Sequence, residues 1–334
     1  MDEPNGDRSA PSTGGRLSAL AAPRPATSGR RITWEQVPPE VRAGINRLLN
    51  DEVVTAQSQP GGFSEGLAAR VRLAGGGRAF VKAVSREVAP AVAWYHRQEI
   101  AVTRQLPARA PVPRLLGAED DGTWVCLVFE DAEGRLPSQP WRRDELERVL
   151  TAVTELADVL DPSPIDPSAL RPPRLGGWRE LAGGGEVDRL RVLSPWAVEH
   201  LEELAALEDG AWPAVAGRSL QHGDLYPFNI LLSRERVVAV DWPHAWAGAA
   251  HCDVLTLLST ISNGGLDPQE HLATHPLTRG LEPEQVDLFL VLHSGFLFRL
   301  ASTLGPEADP TMVAMVRSLG QASLRWLRRR REAS

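Results

Sequence analysis

The spacing of apolar and polar positions changes character near residue 141. Ahead of that point the apolar runs are short. Pro38-Pro39 opens a helix that sets Val41, Ile45, Leu48 and Leu49 on one face. A flexible turn at 59–66 leads into a strand-like run, Leu67–Leu73, and Ala74-Gly75-Gly76-Gly77-Arg78 then reverses the chain into a second strand at 79–84. Residues 89–106 have a helical pattern, and Pro111-Val112-Pro113 breaks the chain after it. The run T-W-V-C-L-V-F at 123–129 is almost continuously apolar, as expected for a strand covered on both faces.

From Trp141 onward the period is that of a helix, with Leu146, Val149, Leu150, Val153, Leu156, Ala157 and Leu160 on one face. Five prolines make 161–173 an irregular excursion. Further helices are predicted at 195–207, Cys252–Ile261, 284–303 and 310–329, and no repeat is present. A β-rich front and an α-rich back predict an α+β chain in two lobes with a cleft between them. The expected division is a disordered tail over 1–30, a front lobe over 31–131, a linker over 132–140 and a back lobe over 141–334.

Composition narrows the picture in one place. A content of 43% hydrophobic and 24% charged residues is ordinary for a soluble domain, and the formal net charge of −7 argues against nucleic acid as the main partner. Cys126 and Cys252 sit in apolar contexts without metal-type spacing, which suits a reducing cytoplasm. The most apolar helical stretch, 286–301, carries His293 and Arg299 and is short for a bilayer, so no membrane partner is expected. The informative fact is that 36 basic residues include one lysine, Lys82, the rest being arginine. A compact ammonium retained where every other cation is a guanidinium suggests a site with a tight geometric demand.

The chemistry concentrates in H-G-D-L-Y-P-F-N-I-L-L-S-R-E-R-V-V-A-V-D, residues 222–241. Two short strands hinged at 233–236 would bring Asn229 and Asp241 together at one mouth. An amide oxygen beside a carboxylate suits a hard cation such as Mg²⁺. Asp224, one loop earlier, would be left to orient or deprotonate a hydroxyl. The spacing matches H-R-D-x-x-x-x-N followed by a metal-binding aspartate.

Ser64–Gly66, Lys82, Glu99, V-F-E-D at 128–131, H-G-D-L-Y-P-F-N at 222–229 and V-D-W-P at 240–243 together resemble the aminoglycoside phosphotransferase family, small-molecule kinases with the protein-kinase-like fold. The resemblance runs in order over roughly residues 34 to 320. It implies a bilobal fold, a β-rich N-lobe with one key helix and a mainly α-helical C-lobe. It implies Asp224 as the catalytic base, Mg²⁺ on Asn229 and Asp241, and Lys82 on the α- and β-phosphates of ATP or GTP with Glu99 fixing it. Gly61, Gly62 and Gly66 would form the phosphate loop, with Ser64 also meeting the nucleotide, and Glu130 and Ala132 the hinge that meets the nucleobase. His222 would support the catalytic loop, and Asp253 would brace it from a helix start.

Two departures carry meaning. Gly223 replaces the arginine of H-R-D, which removes the partner of a phosphorylated activation loop, and Asp241-Trp242-Pro243 replaces D-F-G, with Pro243 stiffening the segment. Both point to a preset site. Gly62-Phe63-Ser64-Glu65-Gly66 imitates a hydrolase nucleophile elbow, but the strand follows the serine instead of preceding it. His244, His251, Cys252 and Asp253 imitate a zinc cluster without its spacing. The expected acceptor is a small hydroxylated molecule, an aminoglycoside drawn to Glu186, Asp188, Glu199, Glu202 and Glu203, or else a macrolide or amino alcohol. A nucleotide-binding pseudokinase is the reading from another class, and a monomer or homodimer is expected.

Overall fold

A computed structural model of the chain describes residues 31–59, 65–184, 186–261, 265–305 and 308–333. The expected tail and the glycine-rich turn residues Gly61, Gly62 and Ser64 lie outside the described residues.

The first helix, α1 (Pro39–Leu49), starts on Pro39 at its first position, where a missing N–H costs nothing, and stops at Asn50 in the left-handed conformation with φ 51°. Five antiparallel strands follow in the order β1-β2-β3-β5-β4: β1 (Val53–Ser58), β2 (Leu67–Leu73), β3 (Arg78–Ser85), β4 (Leu115–Asp120) and β5 (Trp124–Glu130). One helix, α2 (Pro90–Thr103), interrupts them between β3 and β4.

The two-residue period of the strands divides the side chains between the two faces of the sheet. Val81 of β3 and Cys126 and Val128 of β5 pack with Val41 and Ile45 of α1. Val84 of β3 and Val125, Leu127 and Phe129 of β5 pack with Ala93 and Ile100 of α2. This double cover explains the unbroken apolar run of β5. Lys82 shares its parity with Phe80 and Val84, and so faces α2, pairing across the sheet with Ala68 and Leu127.

The long helix α3 (Arg143–Leu160) begins the back lobe and buries the predicted stripe from Leu146 to Leu160. Short helices α4 (Trp178–Gly183), α5 (Val187–Leu193), α6 (Pro195–Glu199) and α7 (Leu201–Ala211) precede the hairpin region, β6 (Ser219–Gln221), β7 (Ile230–Leu232), β8 (Val237–Ala239) and β9 (Trp246–Gly248). Helices α8 (Cys252–Ile261), α9 (Pro268–Thr274), α10 (Pro283–Thr303) and α11 (Pro310–Ala333) complete it. The helix predicted at 195–207 is broken at His200, whose φ of −111° leaves the helical region. Its ring stacks on Trp196 and Nδ1 lies 2.9 Å from the Trp196 carbonyl. The stretch expected to be short for a bilayer is 21 residues of helix α10, long and apolar enough to span one. Its burial against the rest of the lobe accounts for that composition, since 72% of the apolar window is inside the protein.

Candidate active site

The site lies in a cleft of about 1210 Å³ between the sheet and the helical lobe. Lys82 reaches it from the middle of β3, and Glu99 from the face of α2 that packs on the sheet. Lys82 Nζ donates to Glu99 Oε1 and Oε2, each at 2.8 Å, and to Asp241 Oδ1 at 2.7 Å. One ammonium with three donors thus ties strand, helix and metal-type aspartate together. Burial alone would lower the Lys82 pKa, but the Asp241 and Glu99 carboxylates outweigh it and raise it well above the ordinary lysine value. Burial would raise Asp241, yet Lys82, followed by His244 and His222, holds its carboxyl far below the usual range. In Glu99 burial dominates and pushes the carboxyl up against the pull of Lys82.

The residues of the loop between β6 and β7 line the same cleft. Strands β7 and β8 pair Ile230 with Ala239, and the Val240 amide donates to the Asn229 carbonyl at 2.9 Å. This places Asn229 and Asp241 at the same end of the hairpin. Asn229 Nδ2 donates to the Asp224 carbonyl at 2.8 Å and to Asp224 Oδ2 at 3.0 Å. With Nδ2 committed, the carbonyl Oδ1 is the atom Asn229 has for a cation, and with the Asp241 carboxylate it gives the hard oxygen donors that Mg²⁺ prefers.

The loop between β6 and β7 is held from below. Buried Asp253, at the start of α8, accepts from the amides of His222 at 2.7 Å and Gly223 at 3.2 Å. The Asp224 amide donates to His222 Nδ1 at 3.2 Å, so the ring proton sits on Nε2 and is donated to the Val240 carbonyl at 3.0 Å. His222 therefore fastens the loop between β6 and β7 to the segment after β8 that carries Asp241. Asp241 itself has φ 71°, a left-handed conformation that costs energy in any residue with a Cβ. Its neighbour Trp242 anchors the strained turn, 1% exposed, with Nε1 donating to the Ala239 carbonyl.

Glu130 and Ala132 both line the cleft at the exit of β5. The Glu130 amide donates to the Arg114 carbonyl, and the Ala132 carbonyl accepts from Arg70 at 2.9 Å.

Arg174 is the residue of the cleft that sequence reasoning misses. Its Nη1 lies 3.1 Å from Asp224 Oδ1, and its guanidinium stacks on Phe296 of α10 at 4.7 Å. It stands at the end of the proline-rich excursion, fifty residues from Asp224, with no motif around it to mark it. The acidic residues considered as recruiters of a polycation lie elsewhere: none of Glu186, Asp188, Glu199, Glu202 and Glu203 lines the cleft, and Glu186, Asp188 and Glu203 pair with Arg189, Arg191 and Arg331. No group of three or more His, Cys, Asp or Glu side chains gathers for a metal among the described residues, so His244, His251, Cys252 and Asp253 form no zinc cluster.

A family model described as the phosphotransferase enzyme family (APH) matches residues 61–286, more than half of the chain. An aminoglycoside 3'-phosphotransferase of Streptomyces ribosidificus is 33% identical over 128 residues, which are 37% of this chain and 48% of the relative, so the match spans about half the relative's length. Among solved structures, an amicoumacin kinase in complex with AMP-PNP, Ca²⁺ and Ami is similar in fold, with a TM-score of 0.55 at 14% identity, covering 88% of this chain and 96% of the other. A choline/ethanolamine kinase family protein from Mesorhizobium loti gives a TM-score of 0.53 at 16% identity, over 87% of this chain and 98% of that one. The motif order, the kinase-like arrangement of Lys82, Glu99, Asp224, Asn229 and Asp241, and the extent of the family match lead to one conclusion: the chain belongs to the aminoglycoside phosphotransferase family of phosphotransferase enzymes, on a bilobal α+β protein-kinase-like fold.

Proposed function

We propose that the protein transfers the γ-phosphoryl group of ATP or GTP to the hydroxyl of a small molecule. The observation that carries this reading is the single ammonium of Lys82 bridging Glu99 and Asp241 at 2.7–2.8 Å, across one cleft from the hydrogen-bonded Asp224–Asn229 pair. Phosphoryl transfer asks a protein for alignment and charge neutralisation more than for covalent chemistry.

In this reading Lys82, fixed by Glu99, holds the α- and β-phosphates, and Gly61, Gly62 and Ser64 are assigned to them by the family resemblance alone. The exit of β5, through Glu130 and Ala132, meets the nucleobase. Asn229 and Asp241 hold Mg²⁺, which when bound supplies positive charge to the triphosphate oxygens. Asp224 aligns the acceptor hydroxyl and receives its proton. The acceptor oxygen forms a bond to the γ-phosphorus, the β–γ bridging bond breaks, and the nucleoside diphosphate leaves. The buried free thiols Cys126 and Cys252 fit a reducing compartment such as the cytoplasm.

The test begins with nucleotide binding. ATP with Mg²⁺ at a hundred times its dissociation constant should stabilise the wild type by about 2.7 kcal/mol, read as a rise in Tm. Lys82→Arg and Asp241→Asn should lose most of that rise, the first because a planar fork cannot replace a point charge between two carboxylates. An undiminished rise in both variants would remove Lys82 and Asp241 from the nucleotide site.

A further inference from the structure

The acceptor half of the cleft has a chemistry of its own, and it differs from what a polycation requires. Five carboxylates line the cleft among the described residues, and each already faces a cation. Glu99 and Asp241 hold Lys82, Glu130 lies 3.4 Å from Arg114 and from Arg236, Asp131 is 3.2 Å from Arg70, and Asp224 is 3.1 Å from Arg174. A cationic acceptor held at Asp224 would face the Arg174 guanidinium, 3.1 Å from that carboxylate, and like charges at such distances repel.

The wall beyond Arg174 is apolar. Phe296 and Leu300 of α10 and Met312, Met315, Val316 and Leu319 of α11 line the cleft and pack together with Tyr226 of the catalytic loop. The Tyr226 hydroxyl is turned away into the lobe, 2.9 Å from His293 Nε2, so its ring presents carbon to the cleft. Two methionines on one wall give it a pliable surface suited to apolar ligands of variable shape.

We infer that the acceptor is an alcohol with an apolar body that lies along α10 and α11, and with a carboxylate or carbonyl oxygen beside the reactive hydroxyl that meets Arg174. The inference rests on the phosphotransfer reading. The acceptor hydroxyl displaces part of the Arg174–Asp224 contact, its oxygen forms the new bond to the γ-phosphorus, its proton goes to Asp224, and the nucleoside diphosphate departs. Arg174 then holds the neighbouring oxygen while Phe296 supports the guanidinium from behind, a cation–π contact of 4.7 Å.

Three probes separate the parts of this assignment in an assay of ADP release from ATP and Mg²⁺. β-Hydroxydodecanoate carries both the head group and the apolar body, β-hydroxybutyrate the head group alone, and kanamycin is a polycation. The expected kcat/KM for β-hydroxydodecanoate exceeds that for each of the others by about tenfold or more, over β-hydroxybutyrate because even one buried methylene in an apolar pocket is worth about tenfold, and over kanamycin because a cation there faces Arg174. Met312→Glu, on the partly buried edge of the wall, should raise the KM for β-hydroxydodecanoate about tenfold or more while the affinity for ATP stays unchanged. Arg174→Ala, which removes no residue of the apolar wall, should reduce the preference for the carboxylate over undecan-2-ol, the same chain without its carboxylate. Kanamycin turning over as well as or better than β-hydroxydodecanoate, in wild type but not in Asp224→Asn, would overturn the acceptor assignment and leave phosphotransfer standing. Turnover of β-hydroxybutyrate equal to that of its long homologue would also overturn it. No nucleotide-dependent Tm rise and no turnover with any probe would remove the phosphotransfer reading and this inference together.

Discussion

Gly223 shows how closely single positions of the loop between β6 and β7 are determined. Its φ is 75°, and a Cβ there would press against the His244 carbonyl and the Trp246 ring. In sequence this glycine marks the loss of an arginine, and hence of a regulated loop; the backbone adds that no other residue sits there without strain. Gly223→Ala should lower stability by at least about 1–2 kcal/mol, the cost of a left-handed residue with a Cβ, measured by chemical unfolding. An unchanged denaturation midpoint would contradict this description of the loop. At this scale the site is largely readable from sequence. A sole lysine, a glutamate on the next helix and the spacing of Asp224, Asn229 and Asp241 are short-range signals. Arg174 is not readable, because its partner is fifty residues away and reaches it only through the packing of a proline-rich excursion that has no period.

Among the elements, α8 matters to the site more than its apolar composition suggests. Through Asp253 its first turn supplies the acceptor for two consecutive amides of the catalytic loop. Burial raises the Asp253 pKa, while His222 and the two amides pull it down. Asp253→Ala leaves the buried His222 amide, at a cost of about 1–3 kcal/mol, and the part-buried Gly223 amide without that acceptor. The loop that carries Asp224 should then lose its alignment, so kcat should fall about tenfold or more while the affinity for nucleotide changes little. Steady-state kinetics beside a nucleotide titration checks this; an unaltered kcat would make Asp253 a stability residue only. Elements with a strong period, such as α3, or with an unbroken apolar run, such as β5 and α8, are legible in sequence, whereas β1 is not. Its exposure runs half-buried, exposed, exposed, twice over, without the alternation that marks a strand, as befits the outermost strand of the sheet. The two short helices α4 and α5 also escape a sequence reading, each too brief to show a helical period. In α4 the structure comes from tertiary contact: Glu208 of α7 accepts from the amides of Gly177 and Trp178 and so satisfies the start of the helix.

Across the molecule, burial of neutral histidines ties stability to pH. Burial lowers His293 from its ordinary value near 6.5 to about 3, between the Tyr226 hydroxyl and Ser323. His96 is likewise lowered to about 3, by burial first and then by Lys82. Between those values the unfolded chain binds protons that the folded chain refuses. The stabilising contribution is therefore complete above pH 6.5 and is lost as pH falls toward 3. Each such histidine contributes a slope of about 1.4 kcal/mol per pH unit in that window. Glu99 and Asp253, raised by burial, act in the opposite sense, so a single substitution isolates the effect better than the whole curve. His293→Gln should flatten the dependence of unfolding free energy on pH between 4 and 6 by about that slope, and an identical slope in both proteins would contradict a neutral His293.

The two lobes meet through contacts that the sequence does not announce. Arg171 of the excursion stacks on Trp94 of α2 at 4.2 Å, and Tyr95 packs on His244 at 4.9 Å. With the Lys82–Asp241 contact, these fix the sheet against the helical lobe and set the cleft in which transfer would occur.

The central claim, transfer aligned by Asp224, is tested most directly by mass spectrometry of the acceptor after incubation with ATP and Mg²⁺, comparing wild type with Asp224→Asn. Wild type should add one phosphoryl group to a hydroxylated acceptor. The variant should do so about a hundredfold to ten-thousandfold more slowly, the range for loss of a positioned proton acceptor, while binding nucleotide as before. Equal rates of phosphorylated product from the two proteins would contradict it.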